Sequence, residues 1–135
     1  MTDTVTDAAI QELLVAAWRA RRAAYAPYSK LAVGSAVLTE SGLVFTGANV
    51  ENASYGLTIC AERAAVFAAV TAGQRVIRAI AIVADTSIPC PPCGACRQVV
   101  HEFGEGAVVI AENARGVRRR WILGDLLPDA FRLNG

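Results

Sequence analysis

Apolar residues near the start of the chain recur at spacings of three and four, which is the pattern of one helical face. These positions are Ile10, Leu13, Leu14, Ala17 and Trp18. Thr6 is a good helix-capping residue and Pro27 cannot continue a helix, so we expect a first helix from Thr6 to about Tyr25.

Five later segments have the composition of strands: 31–38, 43–48, 76–84, 107–111 and 117–122. The first two form a hairpin around a turn at 40–42, and 77–83 is almost unbroken apolar sequence, as in a strand covered on both faces. Residues 49–58 are polar and predict a loop. Residues 60–72 and 94–103 predict two further helices, and 125–131 a short closing helix or turn. The order predicts an α/β fold with three α/β/α layers and a central mixed five-stranded sheet.

The helix at 60–72 is apolar on nearly all sides after its first turn. A helix of that kind is normally buried all round, which a chain of 135 residues can hardly achieve alone. We therefore expect this helix, or a neighbour, to pack at a subunit interface.

Length and composition narrow the class of protein further. A chain of 135 residues with 54% hydrophobic content predicts one folded domain, residues 1–135. No apolar run approaches the ~20 residues of a membrane span, and the N-terminal sequence lacks the features of a secretory signal, so we expect a cytoplasmic protein with no membrane partner. A net charge of +1 predicts no nucleic-acid partner. The one basic cluster, Arg115 and 118–120, is interpreted as a solvated strand or turn, with an RNA contact as the alternative.

Three cysteines have the pattern of a catalytic zinc site. Cys93 and Cys96 are three residues apart at a predicted helix start, so both sulfur atoms can reach one ion, and Cys60 opens another helix. Three thiolates leave one coordination position open, as catalytic zinc requires. We therefore predict one Zn²⁺ per chain.

Three thiolates give such a site a charge of −1, which weakens zinc as a Lewis acid. The positive ends of the helix dipoles offset part of this charge. Arg63, one turn from Cys60, is predicted to donate hydrogen bonds to the thiolates, with a surface salt bridge as the alternative.

Glu62 is a carboxylate on an otherwise apolar helix, and a buried carboxylate needs a reason. Next to zinc it can carry protons between water and a substrate, so we predict that Glu62 is catalytic. The alternative is a carboxylate that satisfies free N–H groups at the helix start.

Cys90 and His101 allow other interpretations. If Cys90 joined the other three cysteines, the site would be a closed structural zinc module without activity. We favour a Cys90 that packs under a loop. His101 faces away from Cys96 on the third helix and is interpreted as structural or on the surface.

Two motifs together resemble the zinc-dependent cytidine deaminases of the small homotetrameric type. They are Cys60-Ala61-Glu62-Arg63 and Pro92-Cys93-Gly94-Ala95-Cys96-Arg97-Gln98. Blocks at 26–30, 33–34, 47–53 and 126–131 also resemble this family in order, so the resemblance covers nearly the whole chain. It implies a homotetramer that deaminates free cytidine and 2′-deoxycytidine to uridine and 2′-deoxyuridine with release of ammonia. An activated water would attack C4 of the base, and Glu62 would shuttle the protons.

The resemblance also implies substrate-binding residues. Asn49 and Glu51 would bind the ribose 3′-hydroxyl, backbone groups near Ala61 the pyrimidine ring, and the carbonyl near Pro91 the amino group. Phe131 would reach a neighbouring subunit's site. This chain has Leu31 where the family usually has a phenylalanine against the base, and Pro91 where it usually has serine.

Two other deaminase classes are alternatives. An enzyme resembling blasticidin-S deaminase would act on a cytosine-bearing antibiotic, but the Asn49 and Glu51 pair favours a ribose. An editing deaminase of single-stranded nucleic acid would need more positive charge and more aromatic residues than this chain has.

Overall fold

Helix α1 spans Asp7–Arg21 in a computed structural model that describes residues 5–133. The side chain of Thr6 caps it by accepting a hydrogen bond from the Ala9 amide at 3.1 Å, as predicted. The helix ends four residues before the predicted Tyr25. After Arg21 the backbone forms a turn with hydrogen bonds between residues three apart, such as that from the Ala24 N–H to the Arg21 carbonyl. Tyr25 then pairs with Val50 in an isolated β-bridge.

The central sheet has five strands in the order β2-β1-β3-β4-β5. Their bounds are β1 Val33–Thr39, β2 Val44–Ala48, β3 Ile77–Ala84, β4 Val108–Asn113 and β5 Arg118–Ile122. β3 and β4 are parallel and the other neighbours are antiparallel, which confirms the mixed five-stranded sheet. β1 begins at Val33 and not at Leu31, because the backbone of Leu31 is bonded to side chains.

Helices cover both faces of this sheet, which confirms the three-layer α/β/α architecture. α1 packs on one face against a core that includes Ala81, Val83 and Ile110. Helices α2, Ala61–Thr71, and α3, Gly94–Phe103, lie on the other face over Val37, Ile80 and Ile82. The predicted closing helix is displaced: α4 spans Leu123–Leu126 and begins two residues early, at the buried Leu123.

The topology brings the starts of α2 and α3 to one edge of the sheet. α2 leads into the start of β3, so the two run in opposite directions and the α2 N-terminus lies near the end of β3. β3 ends at Ala84, and the loop that follows enters α3 at Gly94. In α/β folds, ligands bind at the carboxyl ends of such strands.

Gly47 allows β2 to lie directly against the start of α2. A Cβ atom at this position would be 2.5 Å from the amide nitrogen of Ala65 and 2.7 Å from the carbonyl oxygen of Ala61. A glycine is therefore required for the close approach that fixes the first turn of α2.

Candidate active site

The three predicted zinc ligands converge at these two helix starts. Cys60 and Cys93 are the N-cap residues of α2 and α3, and Cys96 lies in the first turn of α3. The sulfur atoms lie within 4.8 Å of one another, with 3.8 Å between Cys60 and Cys93 and 3.2 Å between Cys93 and Cys96. Zinc–sulfur bonds of about 2.3 Å in a tetrahedron place the sulfur atoms about 3.8 Å apart, so the donor set fits zinc.

Positive groups face these sulfur atoms. Arg63 donates a hydrogen bond from Nη2 to the Cys60 Sγ at 3.4 Å, which gives it the predicted contact with a thiolate. A hydrogen bond from the Cys96 thiol, followed by Arg63, lowers the pKa of Cys60 to about 5, and the same pairing raises the pKa of Cys96. Of these two sulfurs, Cys60 is therefore the one that ionises more readily.

Glu62 is only 5% exposed and lies in the wall of a cavity that also contains Cys60 and Cys93. Burial raises the pKa of its carboxyl to about 7, and the neighbouring Cys60 charge adds to the effect. A carboxyl with this pKa both accepts and releases protons near neutral pH.

The cavity beside the cysteines has a volume of about 240 Å³. Its apolar wall includes Leu31, Val33 and Pro91, and its polar end carries Asn49 and Glu51. No lysine, arginine or histidine is among the described residues that line it. A larger cavity of about 620 Å³ lies at the opposite end of β3, around Ile77 and His101, far from the cysteines.

Asn49 and Glu51 line this cavity, but their side chains already form hydrogen bonds within the protein. Asn49 Oδ1 accepts from the Val33 amide and Nδ2 donates to the Leu31 carbonyl, both at 2.8 Å. Glu51 Oε1 accepts from the amides of Tyr28 and Ser29, at 2.9 and 3.0 Å, and Oε2 accepts from the Ser29 hydroxyl. The Ser29 hydroxyl is the main reason that the pKa of Glu51 is below its ordinary value. Sequence reasoning missed these contacts, because the partners are 16 to 23 positions away.

Phe131 does not reach the cavity of its own chain. Its side chain is 68% exposed, and its carbonyl accepts a hydrogen bond from Gln98 Nε2 at 3.2 Å. A role for Phe131 in a site thus requires a second subunit, as the resemblance implies.

Cys90 lines the cavity but does not belong to the three-sulfur cluster. It is half-buried, and burial raises the pKa of its thiol. Its sulfur lies 3.7 Å from the Pro91 carbonyl oxygen, in the loop that leads to Cys93, and the three-sulfur cluster forms without it.

The remaining polar candidates lie outside the cavity. His101 is buried, with Nε2 3.8 Å from a carboxylate oxygen of Glu105, which is the structural position expected for it. Residues 118–120 of the basic cluster lie on the exposed strand β5, where Arg118 bonds to Glu112 and Arg119 stacks over the ring of Trp121, whereas Arg115 lies in the turn before it and donates to the Ser87 carbonyl. Trp18 also donates to Glu112, at 2.6 Å, so Arg118 belongs to a network between α1 and the sheet edge.

Three cysteine sulfurs at two helix starts, with a buried carboxyl beside them and a small cavity in front, define the class of zinc hydrolases that use an open coordination position. Residues 7–112 match the family described as "Cytidine and deoxycytidylate deaminase zinc-binding region". The chain belongs to this family, and its cysteine cluster is suited to the zinc ion.

Named relatives agree with this assignment. The chain is 51% identical over 122 residues to the cytidine deaminase of Halalkalibacterium halodurans, covering 90% of this chain and 92% of that one. It is 46% identical over 123 residues to that of Sporosarcina psychrophila, covering 90% of both. The crystal structure of cytidine deaminase from Burkholderia pseudomallei superposes with a TM-score of 0.87 at 53% identity, covering 90% of this chain and 98% of that chain.

Proposed function

We propose that this protein is a hydrolytic cytidine deaminase of pyrimidine salvage. Water replaces the C4 amino group of free cytidine or 2′-deoxycytidine, giving uridine or 2′-deoxyuridine and ammonia. The observation that carries the proposal is the buried Glu62 carboxyl in one cavity with the cysteine cluster. The similarity to cytidine deaminases along 90% of the chain supports it.

Glu62 moves the protons of the reaction. Zinc, when held by Cys60, Cys93 and Cys96, supplies Lewis-acid activation of water. Glu62 accepts a proton from the attacking water and delivers it to N3 of the base. It then takes the remaining proton of that water from the hydroxyl added at C4 and passes it to the amino group, which leaves as ammonia. The positive charge of Arg63, through its hydrogen bond to the Cys60 sulfur, offsets part of the negative charge of the thiolates.

The rest of the cavity binds the nucleoside. Backbone groups of the buried Ala61 hold the pyrimidine ring, the carbonyl near Pro91 receives the amino group, and Leu31 covers the base. Glu51 accepts a hydrogen bond from the ribose 3′-hydroxyl, and Asn49 also hydrogen-bonds to this hydroxyl. Because none of the described residues that line the cavity is a cation, a phosphate group would lie near Glu51 and Glu62 without compensation, which favours free nucleosides over nucleotides.

We further propose a cytoplasmic homotetramer. All four cysteines are free, which suits a reducing compartment. Helix α2 packs on the sheet through Ala65, Val66 and Ala69, yet Phe67 is 44% exposed on its outer face. Phe67 and the 68% exposed Phe131 are apolar surfaces that a second copy of the chain would cover. Among the described residues, no helix is long and apolar enough to cross a membrane.

The direct test is the release of ammonia from free cytidine by the zinc-loaded protein. We expect one zinc per chain and conversion of cytidine to uridine, with cytidine 5′-monophosphate a poor substrate. A protein that binds zinc but leaves cytidine unchanged would disprove the proposal. Cys90→Ala serves as the matched variant: it should keep one zinc per chain and its activity, and loss of the metal would support a four-cysteine structural site.

The oligomer is tested separately by sedimentation. We expect a tetramer for the wild-type protein. Phe131→Ala should raise the KM for cytidine if the ring reaches a neighbouring site. A stable and fully active monomer would contradict this part of the proposal.

A further inference from the structure

Side-chain hydrogen bonds hold the segment from Tyr28 to Leu31, which precedes β1 and lines the cavity through Ser29 and Leu31. β1 begins only at Val33, so the preceding residues lie outside the sheet. The amides of Tyr28 and Ser29 donate to Glu51, the amide of Leu31 donates to the Ser29 hydroxyl at 3.0 Å, and the amide of Val33 donates to Asn49. The two residues proposed to bind the sugar therefore also hold the wall that covers the base.

Ser29 connects the two halves of this arrangement. Its hydroxyl donates its one hydrogen to Oε2 of Glu51 and accepts a hydrogen bond from the Leu31 amide. Oε1 of Glu51 already accepts hydrogen bonds from two backbone amides. The Ser29 hydroxyl is therefore the contact that fixes Oε2. Lys30, the next residue, has a positive φ of 64°, a conformation that turns the wall back toward β1 after these contacts.

We infer that Ser29 is a positioning residue for substrate binding: its hydroxyl fixes the Glu51 carboxylate in the orientation that accepts the ribose 3′-hydroxyl. This inference rests on the proposed function, because it takes Glu51 as the sugar acceptor. A carboxylate has about four lone-pair positions. The three donors from the wall occupy three of them and direct the remaining one.

The orientation of Glu51 has a specific consequence for substrates. A nucleoside with a 3′-hydroxyl gains from a fixed Glu51, whereas 3′-deoxycytidine has no hydroxyl there and gains nothing. A residue that merely stabilised the fold would affect both nucleosides equally. The two substrates thus separate positioning from general stability.

The experiment compares wild type, Ser29→Ala, Ser29→Cys and Ser29→Thr with both nucleosides. Ser29→Cys keeps the size of the side chain but hydrogen-bonds weakly, and Ser29→Thr keeps the hydroxyl. Ser41→Ala is the matched control, because Ser41 also bonds through its hydroxyl, to Thr39 and Gln74, in the turn between β1 and β2. Melting temperature and zinc content are recorded for every variant.

We expect Ser29→Ala and Ser29→Cys to raise the KM for cytidine about 3- to 10-fold, the size of one lost hydrogen bond, with little change in kcat. The KM for 3′-deoxycytidine should change less than about twofold. Ser29→Thr should restore most of the wild-type preference, and Ser41→Ala should match wild type. Ser29→Cys is included so that the two nucleosides can still be compared if Ser29→Ala folds poorly.

Three results would overturn the inference. Equal increases in KM for both nucleosides would assign Ser29 a general structural role. A Ser29→Ala enzyme with wild-type constants would remove Ser29 from substrate binding. A wild-type enzyme that binds both nucleosides equally would show that no residue is positioned for the 3′-hydroxyl, although deamination itself would stand.

Calorimetric binding of uridine and 3′-deoxyuridine repeats the comparison without turnover. If the protein fails to release ammonia but prefers uridine through Ser29, the proposed reaction is wrong and the inference holds. If it deaminates cytidine but Ser29 variants bind both products as wild type does, the inference is wrong and the reaction holds.

Discussion

Glu62 combines deep burial with a position two residues after Cys60, which is one of the three proposed zinc ligands. Glu62→Gln keeps the shape of the side chain but cannot carry a proton. We predict that this variant retains its fold and one zinc per chain while kcat falls at least ~100-fold, the usual scale for a lost general acid–base. Turnover and metal content are measured on the same samples.

Glu12→Gln is the control for this change, since Glu12 is an exposed carboxylate on α1. It should leave kcat and zinc content unaltered. Near-normal turnover in the Glu62 variant would assign the proton transfers to another group.

Leu31 offers the base an apolar contact without an aromatic face. Leu31 is half-buried in the cavity wall together with Val33. An aromatic contact adds about 0.5–1.5 kcal/mol beyond its buried area. We predict that Leu31→Phe lowers the KM for cytidine about 2- to 13-fold and leaves kcat level, because the contact is the same in the ground and transition states.

Melting temperature distinguishes this outcome from overpacking. If Leu31 instead belongs to the core, the larger ring should cost ~1–3 kcal/mol of stability without any improvement in KM. A lower melting temperature with unchanged KM would show that the ring does not meet the base.

The positions of single side chains could be predicted from the sequence where local backbone geometry determines them. The i, i+3 spacing of Cys93 and Cys96 at a helix start was enough to predict that their sulfurs lie close together, and the structure brings Cys60 to them. The contacts of Ser29, Asn49 and Glu51 were not predictable, because they join segments whose approach is set by the whole sheet.

At the scale of elements, the start of α2 depends on how closely β2 approaches it. We predict that Gly47→Ala lowers the free energy of unfolding by ~1–3 kcal/mol, since its Cβ would lie 2.5 Å from a backbone nitrogen and α2 would have to move. The movement would displace Cys60 and Glu62, so kcat should also fall. Denaturant unfolding and turnover measure the two effects.

Gly106→Ala is the matched control for Gly47, because a Cβ at Gly106 meets no atom within 4 Å. It should be close to wild type in both assays. If Gly47→Ala were equally neutral, β2 would not be needed to fix the start of α2.

Element type was predicted better than element boundaries. α3 was predicted at its observed bounds, because Pro92 and Gly104 flank a strongly patterned segment. The predicted ends of α1 and α4 were wrong by a few residues, because hydrogen bonds to distant parts of the backbone determine them. The Tyr25 amide donates to the Asn49 carbonyl, and the Leu123 amide donates to the Ala107 carbonyl. The sequence pattern contains no signal for such distant partners.

At the scale of the whole molecule, the three sulfur ligands connect two distant parts of the chain. Cys60 and Cys93 are 33 residues apart, and the segment between them contains α2 and β3. We predict that a chelator lowers the melting temperature, because metal binding to the folded state adds directly to its stability. Scanning calorimetry with and without the chelator measures the change, and restored zinc should reverse it. An identical melting temperature for both forms would separate metal binding from folding.

The position of β3 determines how a connection between Cys60 and Cys93 affects the stability of the fold. β3 is the central strand of the sheet, between β1 and β4, and it lies between Cys60 and Cys93 along the chain. A zinc ion held by these cysteines would therefore act as a cross-link around the middle of the fold, comparable to a disulfide that closes a loop of this length and contributes about 4 kcal/mol. A cell that runs short of zinc would lose the enzyme itself as well as its activity, because the metal-depleted chain would unfold more often and be degraded sooner.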